Sequence, residues 1–90
     1  MLDTAQPKVT DILFEFISNN FPLAQNDSLS LDDKLIEKGI VDSLGLFLVI
    51  EFIETSFEIS VQFEDVGREN FGSINAISDY IIRSLKNKQN

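Results

Sequence analysis

The chain has 90 residues, of which 43% are hydrophobic, and it contains neither cysteine nor histidine. It therefore has no disulfide framework, no thiolate or imidazole metal site and no histidine base, so we expect no catalytic activity. Its content of only two prolines and four glycines favours a globular domain over a disordered chain. No apolar run reaches the roughly 18 residues of a membrane span, and the first residues do not resemble a signal peptide, so we expect a cytoplasmic protein. The sequence offers no sign of oligomerisation, and we expect a monomer.

The net charge of −8 lies in the middle of the chain. Residues 27–69 contain eleven acids and three bases, whereas the four acids and four bases elsewhere cancel. Such a field repels nucleic acid and anionic membranes and speeds encounter with basic protein surfaces. We therefore expect protein partners, with no nucleic-acid binding and no membrane insertion. The alternative is that this charge only keeps a small protein soluble.

The first part of the chain predicts one helix and then a long connection. Apolar residues at helical spacing predict a first helix over about 5–19. Asn20 and Pro22 end it, because the residue before a proline avoids the α region. Residues 21–42 are predicted as a connection whose scattered apolar residues anchor it to the core. Within it, a short helical turn is predicted over 31–38, with Ser30 and Asp33 as a capping pair and Gly39 as its end.

A second helix is predicted over 43–57, with Asp42 as its N-cap. Apolar residues cover more than half of its circumference, so it is the expected central element. Its predicted inward stripe is Val49, Ile50, Ile53 and Phe57, and its predicted exposed stripe is Glu51, Glu54 and Glu58. The alternation over 57–63 is typical of a strand, but the chain offers no partner strand, and we predict a loop.

The remaining residues predict a short third helix within 63–70 and a final helix that Ser73 caps. The end of the chain near Asn90 is expected to fray. Three main helices, one short helix and a long first loop predict an all-α fold, a small irregular four-helix bundle. We expect one domain over 1–90, with its core over about 5–85.

Ser43 stands at the start of the central helix, where unpaired backbone N–H groups and the helix dipole would stabilise a phosphate esterified to its hydroxyl. Asp42 caps the same turn or orients a metal-bound cosubstrate brought by a modifying enzyme. Gly45 in the first turn costs about 1 kcal/mol of helix stability relative to alanine, and its missing side chain would let another surface approach closely. The structural alternative is that Asp42 and Ser43 only cap the helix.

An apolar docking spot is expected on the same end of this helix. Leu44 and Phe47 leave the inward stripe, and acids surround them, a composition typical of a transient interface. The rim consists of Asp42, Glu51 and Glu54. The alternative is that Phe47 packs beneath the long connection.

These residues resemble the phosphopantetheine-attachment signature of acyl carrier proteins. The signature reads GIVDSL at 39–44 and is followed by a helix that ends IETSFEI at 53–59. Further similarity lies in FED at 63–65, ENF at 69–71 and SI at 73–74. The resemblance covers about residues 5–85 and implies an acyl-carrier-like four-helix bundle.

The resemblance implies that a phosphopantetheinyl transferase using Mg²⁺ attaches a 4′-phosphopantetheine arm from coenzyme A to Ser43. The thiol of the arm would carry an acyl or aminoacyl group as a thioester. The implied partners are a loading ligase and a downstream synthase or transferase, and no residue of the chain need catalyse anything. The same analogy places an acyl pocket between the second and third helices, for which plain core packing is the alternative. Its candidate lining residues are Ile53, Val61, Val66 and Phe71.

Two departures from the family pattern bear on the subtype. Fatty-acid-synthesis carriers usually have acidic residues where this chain has Gly45 and Leu48. The chain looks closer to discrete carriers of specialised pathways of secondary metabolism, such as those loaded with amino acids or polyketide starters. This likeness lies in Gly45, Leu46 and Glu51 and in the ending RENF at 68–71. D-alanyl carrier proteins share the general plan and remain an alternative.

Three other classes of protein compete with a carrier as interpretations of the sequence. A calcium loop built on Asp27, Asp32 and Asp33 lacks the required spacing and central glycine. A serine hydrolase would need a base beside Ser43, and the chain has no histidine. An acidic helical interaction module that is never modified remains an alternative.

Overall fold

The computed structural model describes residues 8–25 and 29–89, and over these ranges the fold is helical with no strand. In chain order the elements are α1 (Val9–Asn20), α2 (Pro22–Gln25), α3 (Ser43–Phe57), a 3-10 turn (Phe63–Asp65), α4 (Arg68–Phe71) and α5 (Ile74–Gln89). The all-α bundle with three main helices and a long first connection is confirmed, as are the loop after α3 and the bounds of the second helix. None of these described helices has both the length and the apolar character that a bilayer crossing requires.

The core forms where α5 packs against α1, α3 and α4. The side chains at its centre are at most 1% exposed and come from all three long helices: Leu13, Ile17, Val49, Ile53, Ile74, Ile77 and Ile81. Each is a large aliphatic residue, and full burial of one such side chain contributes about 1.5–3 kcal/mol. The predicted inward stripe of α3 is confirmed, because Val49 and Ile53 are fully buried and Ile50 and Phe57 are half-buried.

The end of α1 differs from the prediction in one respect. The helix ends at Asn20, one residue beyond the predicted end, and the part of the prediction over 5–7 lies outside the described residues. Phe21 is extended, and its N–H donates to the carbonyl of Ile17 at 3.0 Å. Pro22 then opens the one-turn helix α2, so the prediction of continuous loop from residue 21 is wrong there. A proline is well suited to the first position of a helix, where its missing N–H is not needed.

The predicted capping pair in the connection is present, and the helical turn predicted over 31–38 forms only in the second half of that range. The backbone N–H of Ser30 donates to Asp33 Oδ2 at 2.8 Å. Residues 35–39 form consecutive turns, and the N–H of Lys38 donates to the carbonyl of Lys34 at 2.9 Å, as in a single turn of α-helix. Gly39 ends them with φ +76°, a left-handed conformation that glycine adopts without steric cost.

Three hydrogen bonds anchor the connection to the start of α5, and in one of them the N–H of Asn75 donates to the carbonyl of Leu31 at 3.0 Å. The N–H of Leu35 donates to the carbonyl of Gly72 at 2.8 Å, and Asn75 Nδ2 donates to Asp32 Oδ1 at 2.7 Å. Leu35 is itself only 1% exposed. The N–H of Val41 then donates to the carbonyl of Leu35 at 3.1 Å, so this anchored segment determines where α3 begins.

The predicted short helix over 63–70 is divided into the 3-10 turn and α4. Val66 is extended and Gly67 has φ 169°, so the helical backbone is interrupted between the two pieces. Ser73 caps α5 as predicted, since its hydroxyl accepts from the N–H of Ala76 at 3.1 Å. Asn90, at the predicted frayed end, lies outside the described residues.

Candidate functional site

The start of α3 is closed by Asp42. Its backbone is extended, and its carboxylate oxygen Oδ1 accepts from the N–H of Gly45 at 2.7 Å. Its carbonyl accepts from the N–H of Leu46 at 2.8 Å. Asp42 is therefore the N-cap that the sequence predicts, and it places a negative charge at the positive end of the helix.

Loss of this cap should lower stability moderately. We expect Asp42→Ala to lower the free energy of unfolding by about 0.5–2 kcal/mol, because the N–H of Gly45 loses its acceptor. Urea denaturation measures the change. Asp42→Asn is the matched control, since asparagine caps about as well as aspartate without the charge. An equal loss in both variants would show that charge, and not the capping hydrogen bond, carries the effect.

Ser43 is the first residue of α3, and its side chain is exposed. Gly45, two residues later, is buried. Two residues correspond to about 200° around a helix, so the two positions face opposite sides. The hydroxyl of Ser43 thus points away from the core at the positive end of a 15-residue helix.

Gly45 contacts the protein's own core. A Cβ built there would lie 2.5 Å from Cε1 and 3.2 Å from Cζ of Phe21. The surface that the missing side chain lets approach is therefore the ring of Phe21 of the same chain. Sequence reasoning assigned Phe21 no role at the site, because only the folded chain brings it beside Gly45.

Three apolar side chains on the solvent side of α3 form a surface that we call the α3 patch. Leu44 is 76% exposed, Phe47 is 69% exposed and Leu48 is 53% exposed. Phe47 therefore does not pack beneath the connection. Single exposed apolar residues are common on proteins, but these three stand at positions i, i+3 and i+4 of the helix and so form one continuous apolar area.

The acidic residues around the α3 patch differ in their surroundings. Asp42 and Glu51 are exposed, and neither has an ion-pair partner among the described residues. Glu54 is predicted to be exposed, but it is half-buried. Its Oε2 accepts from the N–H of Val61 at 2.9 Å. This bond holds the loop after α3 against the helix, so Glu54 has a structural contact in addition to its charge.

The four candidate pocket residues lie in two environments. Ile53 and Phe71 are fully buried in the core, whereas Val61 and Val66 are half-buried at its edge. The ring of Phe71 packs 5.4 Å from that of Tyr80. None of the four lines the cavity beside Tyr80 and Arg83 or the smaller one beside Lys34 and Arg68.

The larger of these cavities is a polar groove of about 530 Å³ at the carboxyl end of α3. Tyr80 donates its hydroxyl hydrogen to Asp65 Oδ2 at 3.0 Å, and Arg83 Nη2 donates to Asn70 Oδ1 at 3.1 Å. Two causes raise the pKa of the Tyr80 hydroxyl: its burial has the larger effect, and its hydrogen bond to Asp65 has the smaller. Glu58 at the end of α3 also lines the groove, so a helix length of about 22 Å separates the groove from Ser43.

The acidic residues proposed for a calcium loop are used differently. Asp32 accepts from Asn75, and Asp33 accepts from the N–H of Ser30 and from Lys38 Nζ at 3.1 Å. Asp27 lies outside the described residues. Over the ranges that the structure describes, no three acids are grouped so that they could hold a metal ion.

No protein-family model matches the chain, but comparison with individual proteins shows its family. A curated D-alanyl carrier protein of Streptococcus uberis is 36% identical over 59 residues, which are 66% of this chain and 70% of that protein. The chain belongs to the acyl carrier protein family. Two further D-alanyl carrier proteins match this carrier protein. The one from Streptococcus suis is 31% identical over 61% of this chain and 70% of the relative. The one from Streptococcus equi subsp. zooepidemicus is 38% identical over 52% of this chain and 60% of the relative.

A solved structure supports the same fold. A chain in a crystal structure of an FAD-dependent dehydrogenase superposes on the carrier protein with a TM-score of 0.70 and 25% sequence identity. The match covers 77% of the carrier protein and 97% of that chain, so the matched chain is the shorter of the two. These relatives and this fold establish a carrier protein.

Proposed function

We propose that this carrier protein holds its cargo as a thioester on a 4′-phosphopantetheine arm attached to Ser43. The observation that carries the proposal is the exposed hydroxyl of Ser43 at the capped, positive end of α3 in a member of the acyl carrier protein family. The arm supplies the reactive thiol, which the chain itself lacks because it has no cysteine. Ser43 is thus the acceptor of a modification and not a catalytic residue.

The residues at the start of α3 suit the modification. Transfer would form a phosphodiester between the Oγ of Ser43 and the phosphate of the pantetheine, with release of the nucleotide part of coenzyme A. The positive end of α3 stabilises a phosphate at that position. Asp42 fixes the first turn through Gly45 and is itself exposed, so its outer oxygen can orient a transferase-bound Mg²⁺.

We assign partner docking to the α3 patch and the exposed acids beside it. All three bases of the acidic middle segment pair within that segment, with Asp33 or Glu37 of the connection. The carboxylates of Asp42 and Glu51 stay available for a basic partner. Exposed ion pairs contribute only about 0–1 kcal/mol each, which suits a carrier that must be released quickly. The proposed partners are a phosphopantetheinyl transferase, a loading ligase and a downstream synthase or transferase, all met by a cytoplasmic monomer.

Intact-protein mass spectrometry tests the central proposal. The purified chain is incubated with coenzyme A, Mg²⁺ and a broad-specificity phosphopantetheinyl transferase. The expected result is a mass increase of one phosphopantetheine on every molecule. An unchanged mass, under conditions in which a known carrier is fully modified, would support the unmodified interaction module.

Phe47→Ala tests the docking assignment. Because Phe47 is 69% exposed, we expect its truncation to leave the melting temperature nearly unchanged and to slow transfer to and from partners about tenfold, the effect of losing one interface contact of about 1.4 kcal/mol. Phe63→Ala is the matched control, since Phe63 is 90% exposed but lies on the 3-10 turn outside the α3 patch. Equal transfer rates for both variants and the wild type would show that Phe47 is not part of the docking surface.

The curated relatives favour an aminoacyl cargo, with D-alanine as the first candidate, over a fatty acyl chain. Loading assays with the modified protein, ATP and a panel of amino-acid and acyl ligases would separate the two by the mass of the thioester formed. The likeness to a chain in a dehydrogenase crystal adds a flavin-dependent dehydrogenase to the partners worth testing. Its action on the cargo would appear as the loss of two hydrogens from the loaded protein.

A further inference from the structure

Three aromatic rings connect α1 to α3. Phe16 stacks on Phe52 of α3, with ring centroids 4.0 Å apart and an angle of 12° between the planes. Phe16 also meets the ring of Phe21 edge to face, at 6.3 Å and 74°. The ring of Phe21 in turn lies against Gly45. The series therefore touches α3 at two places, Phe52 and Gly45.

These two contacts define how α3 sits on the rest of the protein. Gly45 and Phe52 are seven residues apart, so they lie on the same side of the helix and about 10 Å apart along its axis. Two contacts on one side determine both the angle of α3 to the rest of the protein and the distance of its first turn from the core. Ser43 lies on the opposite side of that turn, so its height above the protein surface depends on the contact at Gly45.

Phe21 has little freedom to move. Its N–H donates to the carbonyl of Ile17 at 3.0 Å, and its carbonyl accepts from the N–H of Ala24 at 3.0 Å. These bonds tie it to the end of α1 and to α2, and its side chain is only 6% exposed. A side chain fixed by its backbone and covered on all sides serves as a rigid contact.

The first turn of α3 has no room for a larger residue at Gly45. An added methyl group would lie 2.5 Å from Cε1 of Phe21 and 3.1 Å from Oδ1 of Asp42, the oxygen that caps the helix. Because the ring of Phe21 is held in place, relief of the overlap requires the first turn to move outward or the cap to shift. Either movement displaces the backbone that carries Ser43.

We propose that Phe21 is a positioning residue for the modification of Ser43: its ring, seated on Gly45, sets the position from which the hydroxyl meets the transferase. This inference depends on the proposed function of Ser43. A transferase must bring the hydroxyl and the reacting phosphate into close alignment, and a displacement of about 1 Å can lower such a rate by up to about 10²-fold. Phe21 itself touches neither coenzyme A nor the reacting atoms.

The test uses two single variants and their combination. Gly45→Ala should lower the kcat of phosphopantetheine transfer at least about tenfold and raise the KM for the carrier protein less, because the hydroxyl is misplaced while Phe47 and Leu48 of the α3 patch lie beyond the displaced first turn. Phe21→Leu should give a smaller loss of kcat, since leucine lacks Cε1 and Cζ and leaves a gap above Gly45. In the double variant the methyl group fills that gap, so transfer should be faster than in Gly45→Ala alone.

A stability control separates positioning from general weakening of the fold. Ile81→Val removes one methylene group from the core on α5, outside the ring series, and lowers the melting temperature without altering the first turn of α3. All rates are measured below the melting temperature of every variant. We expect Ile81→Val to transfer at the wild-type rate.

The possible results bear on the two proposals differently. An unmodified wild-type protein would overturn the proposed function of Ser43, and the role of Phe21 with it. A modified wild type with wild-type kcat in Gly45→Ala would overturn only the role of Phe21. Failure of the double variant to recover transfer, or an equal loss in Ile81→Val, would show that Phe21 has only a structural role. If Gly45→Ala does not fold, wild-type kcat in folded Phe21→Leu would overturn it.

Discussion

Ser43→Ala is expected to abolish the addition of phosphopantetheine completely. The reaction needs an oxygen nucleophile at the start of α3, and alanine has none. The fold should be unaffected, because the helix keeps its N-cap on Asp42 and the side chain of Ser43 is exposed. Intact-protein mass spectrometry after treatment with coenzyme A and transferase gives the result, and thermal unfolding of the same sample shows that the variant is folded.

Ser56→Ala is the control for this experiment. Ser56 is an exposed serine near the opposite end of α3, so its loss should leave modification at the wild-type level. If Ser43→Ala still gained one phosphopantetheine, another hydroxyl would be the acceptor, and the proposed site would be wrong. If both variants lost the modification, the effect would arise from α3 as a whole.

Phe71→Ala is expected to have the largest effect on stability. The ring is 1% exposed and packs against Tyr80, and truncation of a buried phenylalanine costs about 3–5 kcal/mol. A small domain has only about 5–15 kcal/mol in total, so the variant should be close to unfolding. Urea denaturation of both proteins measures the difference in the free energy of unfolding.

Phe63→Ala is the matched control for Phe71→Ala, because the same truncation at a 90% exposed ring should change stability by less than about 0.5 kcal/mol. The comparison also bears on the proposed shelter for an acyl chain. A loss of only about 1 kcal/mol at Phe71 would indicate a loosely packed ring that can move aside for cargo. The full loss would show that Phe71 is a core residue, as its burial indicates.

Local sequence signals predicted α3 well. A capping aspartate, an uninterrupted apolar segment and a glycine-closed turn before it are all contained within residues 39–57, so its bounds and the exposure of Ser43 follow from nearby residues. The same holds for the cap of α5 at Ser73.

Features that depend on distant contacts were missed. The hydrogen bond that half-buries Glu54 comes from Val61 in the following loop, and helical periodicity carries no information about that loop. The contact between Gly45 and the ring of Phe21 joins residues more than twenty positions apart. A single sequence shows that each residue is small or apolar, but it does not show which residues meet.

The hydrogen bonds between the connection and the start of α5 have a kinetic consequence. The backbone of Leu35 is hydrogen-bonded both to Gly72, just before α5, and to Val41, just before α3. The segment that leads into α3 therefore cannot detach without also releasing the beginning of α5. The backbone amides of these two regions should therefore exchange their hydrogens with solvent as one cooperative opening unit. We expect the segment before α3 and the beginning of α5 to open together in rare, concerted fluctuations and not to fray independently.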